Sequence, residues 1–229
     1  MLNKSSRINL ICSFALSVVV VLILFVSIAL VESFFKQELV ISTSSSSMIY
    51  DGSELTSKNW DIIDGDLKKG HYITVKFTGS QTDVGKSDNA IKVTIYDKDG
   101  NDVSKEYKIN YEYGTLNVKK IPLTITSNTI GKIYDGKELT SNVFYIKNYE
   151  MIIKGHVIKP VIEGKILESG VVENVITSVA IVDANGDDVS YLYDVETVFG
   201  KLYVAKTQGE IPTIPTVEGI KATGEYRSK

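Results

Sequence analysis

A chain of 229 residues with one cysteine, four prolines, one tryptophan and two histidines is excluded from several protein classes at once. The lone cysteine, Cys12, sits in an apolar N-terminal run, so no intrachain disulfide can staple the rest of the chain. Any downstream domain must fold on apolar burial alone. With no cysteine beyond residue 12, His71 and His156 have no thiolate partner for a zinc site or a nucleophilic pair. An excess of positive charge is also missing. Only Lys4, Arg7 and Lys36 of the 25 basic residues, and Glu32 of the 28 acidic ones, lie at or before residue 36. The remainder is mildly acidic with both signs interspersed, which excludes a nucleic-acid footprint and a polybasic membrane-surface patch. Beyond residue 37 no segment sustains a 3.6-residue apolar period of helix length.

What the N-terminus does contain is an uncharged run from Ile8 to Val31, 24 residues long. At a helical rise of about 1.5 Å per residue it covers roughly 36 Å, enough to cross a hydrocarbon core of about 30 Å with some tilt. A cleavable signal peptide has a shorter apolar core of roughly 7–15 residues. On that alternative Ser27-Ile28-Ala29 would be the cleavage region. The length favours an uncleaved signal anchor. Lys4 and Arg7 precede the run, whereas Glu32, Lys36 and Glu38 come after it. The positive-inside rule then leaves residues 1–7 in the cytoplasm and the C-terminal bulk outside a single-pass cell membrane protein.

Ile49-Tyr50-Asp51-Gly52-Ser53-Glu54-Leu55-Thr56-Ser57 returns, with one residue changed, as Ile133-Tyr134-Asp135-Gly136-Lys137-Glu138-Leu139-Thr140-Ser141. Walking outward, Trp60 meets Phe144, Gly70-His71 meets Gly155-His156, Asn89 meets Asn174 and Asp97 meets Asp183. Tyr107 then falls on Tyr193, and Gly114-x-Leu116-x-Val118 on Gly200-x-Leu202-x-Val204. Repetition at this period marks tandem modules, here 38–120 and 121–206. The Ser42–Ser47 stretch superimposes on Thr126–Gly131 and is a loop within the fold. The junction at Lys119-Lys120-Ile121-Pro122 has almost no spacer, so two semi-rigidly linked modules are expected. Residues 207–229, with Ile211-Pro212-Thr213-Ile214-Pro215 and no periodicity, read as a disordered tail.

Period-two alternation defines the strands: Ile73, Val75 and Phe77 against Thr74, Lys76 and Thr78; Ile91, Val93 and Ile95 against Lys92, Thr94 and Tyr96; Tyr107, Ile109, Tyr111 and Tyr113 against Lys108, Asn110 and Glu112. Asp99-Gly100 between two such runs signals a hairpin. About seven short strands per module predict an all-β fold of two tandem immunoglobulin-like β-sandwich modules after one N-terminal transmembrane helix. Tyr107 and Tyr193, each opening a late strand, fit a tyrosine corner, in which a buried phenol bonds back to the chain. A β-grasp-like module is the alternative, with the 60–69 region as its helix.

These motifs resemble the Tyr-Asp-Gly type repeats of Gram-positive cell-surface proteins, bacterial immunoglobulin-like or mucin-binding-type modules. The likeness rests on Tyr-Asp-Gly, Gly-His, Thr78-Gly79-Ser80-Gln81-Thr82-Asp83-Val84-Gly85, Asp97-x-Asp99-Gly100-x-Asp102-Val103 and the closing Gly114-Thr115-Leu116-x-Val118, and it covers 38–206. The second repeat departs from it at Glu163-Gly164-Lys165-Ile166-Leu167-Glu168-Ser169-Gly170. The resemblance implies display or adhesion. An N-terminal anchor without a Leu-Pro-x-Thr-Gly signal implies membrane tethering rather than wall linkage.

No constellation demands chemistry, so no catalytic, cofactor-binding or metal residue is assigned. Asp97, Asp99 and Asp102 alternate as Ca²⁺ ligands do, but lack a distal bidentate Glu and suit a turn equally well. His71 and His156, at matching positions, read as strand-edge residues rather than bases. Of the thirteen tyrosines, Tyr50, Tyr134, Tyr107 and Tyr193 recur and suggest packing, while Tyr145, Tyr149 and Tyr191 lack aromatic counterparts and suit a surface patch. The expectation is a non-enzymatic, cofactor-free structural or adhesion protein whose partners are the membrane and a surface glycan or protein. A carbohydrate- or mucin-binding protein is the second reading, and an accessory subunit of an envelope enzyme complex the third.

Overall fold

The computed structural model describes residues 36–229 together with Val18 and Val21. Apart from those two positions, the expected spanning segment 8–31 lies outside the described residues. Among the described residues no helix is long and apolar enough to cross a membrane. The strands are β1 (Gln37–Thr43), β2 (Ser46–Ile49), β3 (Trp60–Asp64), β4 (Tyr72–Phe77), β5 (Gly85–Asp88), β6 (Ile91–Tyr96), β7 (Tyr107–Glu112), β8 (Thr115–Lys119), β9 (Ile121–Ser127) and β10 (Ile130–Ile133). They continue with β11 (Leu139–Thr140), β12 (Val143–Lys147), β13 (Val157–Ile162), β14 (Lys165–Ile166), β15 (Gly170–Asn174), β16 (Ile176–Val182), β17 (Tyr193–Val198), β18 (Gly200–Ala205), β19 (Ile220–Thr223) and β20 (Tyr226–Arg227). From residue 36 onward the only helical pieces are three-residue 3-10 turns. From residue 36 onward the protein is all-β. Alternation explains why: in β9, Ile121, Leu123 and Ile125 are buried while Pro122, Thr124 and Thr126 face outward.

The chain forms two compact units that do not follow the sequence repeat. Among the described residues from 36 onward, one takes 36–46, Thr56–Ser80 and Ser87–Leu116, and the other takes Ser47–Leu55, Gln81–Lys86 and Asn117–Lys229. In the first unit β1 pairs antiparallel with β3 and parallel with β7, and β4 pairs antiparallel with β6. Their inner faces bury Leu39, Ile41, Ile91, Val93, Ile95 and Tyr107. In the second unit one sheet has the order β17-β9-β12-β19, again with its first strand parallel to a late one. The other sheets run β16-β13-β20 and β10-β18-β15, with β11–β14 as a short pair. The large core here includes Ile121, Leu123, Ile125, Phe144, Ile146, Ile158 and Ile181. Strands β2, β8 and β5 make a further sheet in the order β2-β8-β5.

Three expectations need correction. The 60–69 region, helical on the β-grasp alternative, opens with strand β3, because Trp60 and Ile62 alternate against Asp61 and Ile63 and register on Thr43 and Ile41 of β1. The Asp99-Gly100 turn forms, yet β6 and β7 are not a hairpin: β7 joins β1, β6 joins β4, and Tyr96 to Asp102 is a single bridge. The tail is not structureless. β19 pairs antiparallel with β12 and β20 with β13, and Ile220, Ala222 and Tyr226 pack on the second core. Alternation of Ile220 and Ala222 with Lys221 and Thr223 is too short to signal a strand, and only the waiting edges of β12 and β13 define it.

Gly219, which leads into β19, has φ +114, and a Cβ there would run into the Ile146 carbonyl. Only glycine fits both demands. Ending the chain at Lys206 is expected to cost the second unit about 2–4 kcal/mol through re-exposure of apolar surface. Urea denaturation followed by circular dichroism checks this; an unchanged midpoint would show that the tail adds no stability.

Candidate functional site

Buried polar side chains are the first place to look for chemistry, since each needs a reason to leave water. Among the described residues they are Thr43, Asn89, Ser127, His156 and Asn174. Four of them build one motif twice. In the first unit the Thr43 hydroxyl donates to the Asn89 carbonyl (2.8 Å) and accepts from the Gly114 amide (2.9 Å), while the Asn89 amide donates to the Ser44 carbonyl (3.0 Å). In the second, Ser127 donates to the Asn174 carbonyl and accepts from the Gly200 amide (2.9 Å). The Asn174 amide donates to the carbonyls of Asn128 and Ser141, both at 3.1 Å. A Cβ on Gly114 or Gly200 would strike the backbone at Ser44 or Asn128. These are joints, and their groups face the chain itself.

The fifth, His156, belongs to a second repeated motif. Tyr193 Oη stands 2.7 Å from His156 Nδ1 and accepts the Ile153 amide proton at 3.3 Å. Tyr107 Oη stands 2.8 Å from His71 Nδ1 and accepts the Lys68 amide proton at 3.0 Å. In each motif the phenol oxygen accepts from the backbone and shares a further hydrogen bond with Nδ1. The phenols therefore do bond back to the chain, but some forty residues upstream and alongside a histidine. His156 is buried rather than at a strand edge, which corrects the sequence expectation. Burial lowers its pKa, opposed by the charge of Asp183, and pushes the Tyr193 phenol up to about 12. At both histidines Nδ1 is engaged by the phenol.

The acidic turns close on themselves. Asp97 accepts from the side chain and amide of Asn101 and from the Asp99 amide, which hold its carboxyl below the ordinary range. Asp102 does the same with Ser104, and Asp183 with the amides of Asp187 and Asn185. No cluster of three or more metal-ligating side chains occurs among the described residues. In the second unit a cleft of about 620 Å³ is lined in part by Glu163, Gly164 and Lys165, which open the stretch where that repeat departs from the first, and in part by Ser141 and Asn142.

What remains for recognition is aromatic surface on the first unit. Tyr72 and Tyr96 are register partners across β4 and β6, with ring centroids 5.5 Å apart and planes at 25°. Alternation turns them outward with Thr74, Thr94, Lys76 and Lys92. Tyr111 and Tyr113, two residues apart on one strand face, stack at 5.3 Å and 24°. Burial raises the Tyr111 pKa, helped by the nearby Tyr113. Such stacked rings offer flat apolar faces with hydroxyl tips, suited to an amphipathic ligand. The structure does not bring Tyr145, Tyr149 and Tyr191 into a stacked pair: Tyr145 is half-buried in β12 opposite Lys221, and Tyr149 and Tyr191 are exposed singly. Of the recurring tyrosines, Tyr107 and Tyr193 are buried, Tyr50 packs partly on the second core, and Tyr134 is exposed, against its expected packing role. Tyr72, Tyr96 and Tyr111 also lack aromatic counterparts, having Val157, Val182 and Thr197 opposite them in the repeat. The signal that singled out Tyr145 applied to them equally.

No protein-family model matches this chain, and comparison with curated proteins yields no match.

Tyr193→Phe leaves His156 Nδ1 and the Ile153 amide without their partner, an expected loss of about 1–3 kcal/mol. Restoration of wild-type stability by further replacing His156 with an apolar residue would be read in the same denaturation experiment. The pH dependence carries a definite sign. His156 titrates lower in the folded state than its ordinary 6.5, so the unfolded chain binds more protons in that window. Stability is fully present above about pH 6.5 and falls as pH drops through the folded value. A thermal midpoint that stays flat from pH 7.5 to 5 would contradict this, since the aspartates act only at lower pH.

Proposed function

We propose that this chain is a membrane-anchored extracytoplasmic structural or adhesion protein that displays two tandem immunoglobulin-like repeats as a stalk or spacer. The observation that carries it is the use of buried polarity. All five buried polar side chains among the described residues serve internal joints that recur at matched positions. A protein whose costly buried groups are all committed to holding strands is built for shape. The anchor rests on the uncharged run 8–31 and the cations before it, and the immunoglobulin-like reading on paired sheets, first-to-late parallel pairing and the two buried phenols.

The stacked pairs Tyr72–Tyr96 and Tyr111–Tyr113 favour a second reading, a surface that binds carbohydrate or mucin. Flat aromatic faces pack against the apolar faces of sugar rings, and the neighbouring threonines and lysines supply polar partners.

Protease shaving of intact cells carrying a C-terminal tag tests the first reading. Loss of the full-length, cell-bound tagged species is expected, and complete protection until lysis would refute surface display. For the second, a glycan array should show saturable binding that falls at least tenfold in Tyr72→Ala or Tyr111→Ala variants; an array blank at all ligands leaves only the stalk.

A further inference from the structure

The two units treat the same structural address differently. In the second, the edge of β12 is covered by β19 in the register Val143 to Thr223, Phe144 to Ala222, Tyr145 to Lys221 and Ile146 to Ile220. The edge of β13 is covered by β20, through Val157 to Arg227 and Ile158 to Tyr226. The Ser228 amide continues this onto the His156 carbonyl at 3.0 Å, and Lys147 pairs with Glu218 at 3.3 Å. Beneath this cover Phe144, Ile146 and Ile158 are 0 % exposed.

The counterparts of β12 and β13 in the first unit are β3 and β4, which end their sheets in the orders β3-β1-β7 and β4-β6. Among the described residues neither carries an outer strand. Trp60, Ile62 and Ile73, which match Phe144, Ile146 and Ile158, are only partly buried. Ile63 on β3 and Tyr72 on β4 are 50 % and 49 % exposed. An edge strand offers a row of backbone donors and acceptors, and apolar side chains beside it add affinity for an incoming strand. Charge narrows the choice of occupant. Where Lys221 faces Tyr145 in the second unit, the first unit presents Asp61, followed by Asp64.

We propose that the outer edges of β3 and β4 form a strand-addition site for an extended segment of another polypeptide, apolar at alternate positions and basic between them. The resident segment 218–228 shows the pattern such a strand follows: glycine, an apolar residue, lysine, a small apolar residue, then a turn into a tyrosine. Apolar positions of the incoming strand would cover Trp60, Ile62 and Ile73, and its intervening cation would meet Asp61. This goes beyond the stalk reading and does not depend on it.

The test uses the full chain in detergent micelles, with its own segment in place on the second unit, and a fluorescein-labelled synthetic peptide of residues 217–229 as probe. Saturable anisotropy is expected, together with slowed amide exchange over 60–64 and 72–77. Asp61→Lys, an exposed substitution whose folding is checked by amide exchange in β1 and β7, should weaken binding at least tenfold. A peptide carrying Lys221→Glu should regain binding to that variant. Absence of saturable binding, indifference to Asp61→Lys, or protection confined to 143–147 and 157–162 would overturn the site, the last by showing simple exchange with the resident segment. Self-association of the full chain abolished by Asp61→Lys would assign the edge to a second copy and overturn the foreign-strand reading.

Discussion

The structure depends on the point at which strands change sheets. β1 becomes β2, β5 becomes β6 and β7 becomes β8 within a residue or two of Thr43, Asn89 and Gly114, and one hydroxyl with one carboxamide binds all three passages. A strand leaving a sheet abandons its ladder partners, so its backbone groups must find others or remain unpaired in the interior. The Thr43 hydroxyl and the Asn89 amide supply those partners in the first unit, as Ser127 and Asn174 do in the second. With no disulfide to hold the layers, this local satisfaction lets the apolar faces on either side settle into register. Both asparagine Oδ1 atoms are buried without a protein hydrogen-bond donor, while the Asn89 amide makes one oriented bond to the chain and the Asn174 amide two.

Much of this was legible. The repeat aligned Asn89 with Asn174 and Gly114 with Gly200, and it put Ser42–Ser47 inside the fold, although as a loop, whereas only Ser44 and Ser45 lie between β1 and β2. Alternation located β4, β6 and β7, because a period of two reports which face of a strand is buried. It does not report which strand lies alongside. The partners of β6 and β7 were therefore missed: the turn at Asp99-Gly100 reads the same whether the flanking strands pair or diverge to separate sheets. Trp60–Asp64 failed for a related reason, being too short to show its period without the partner β1.

The tyrosines and histidines show a different limit. Tyr107 and His71 were each conspicuous from their repeats, but nothing in the sequence joins residues thirty-six positions apart into one hydrogen bond. The tail shows it again. A Pro- and Thr-rich approach followed by a tetrapeptide strand has no local signature, and its structure is imposed by edges presented elsewhere. The candidate surface was half visible: the non-recurring aromatics were the right class of residue, and only cross-strand register chose Tyr72 and Tyr96 among them.

The parallel pairing of the first strand of each repeat with a late one has a mechanical consequence. In the second unit a pull applied at the N-terminal end of β9 and at the C-terminal end of β17 would slide these parallel strands past each other. Six registered residue pairs, Tyr193 to Ile121 through Val198 to Thr126, are then loaded together in shear rather than peeled one by one. The β1–β7 pair, also with six, has the same geometry. Under such a load the resistance would come from the pairing of these strands, a quantity distinct from stability to heat or denaturant.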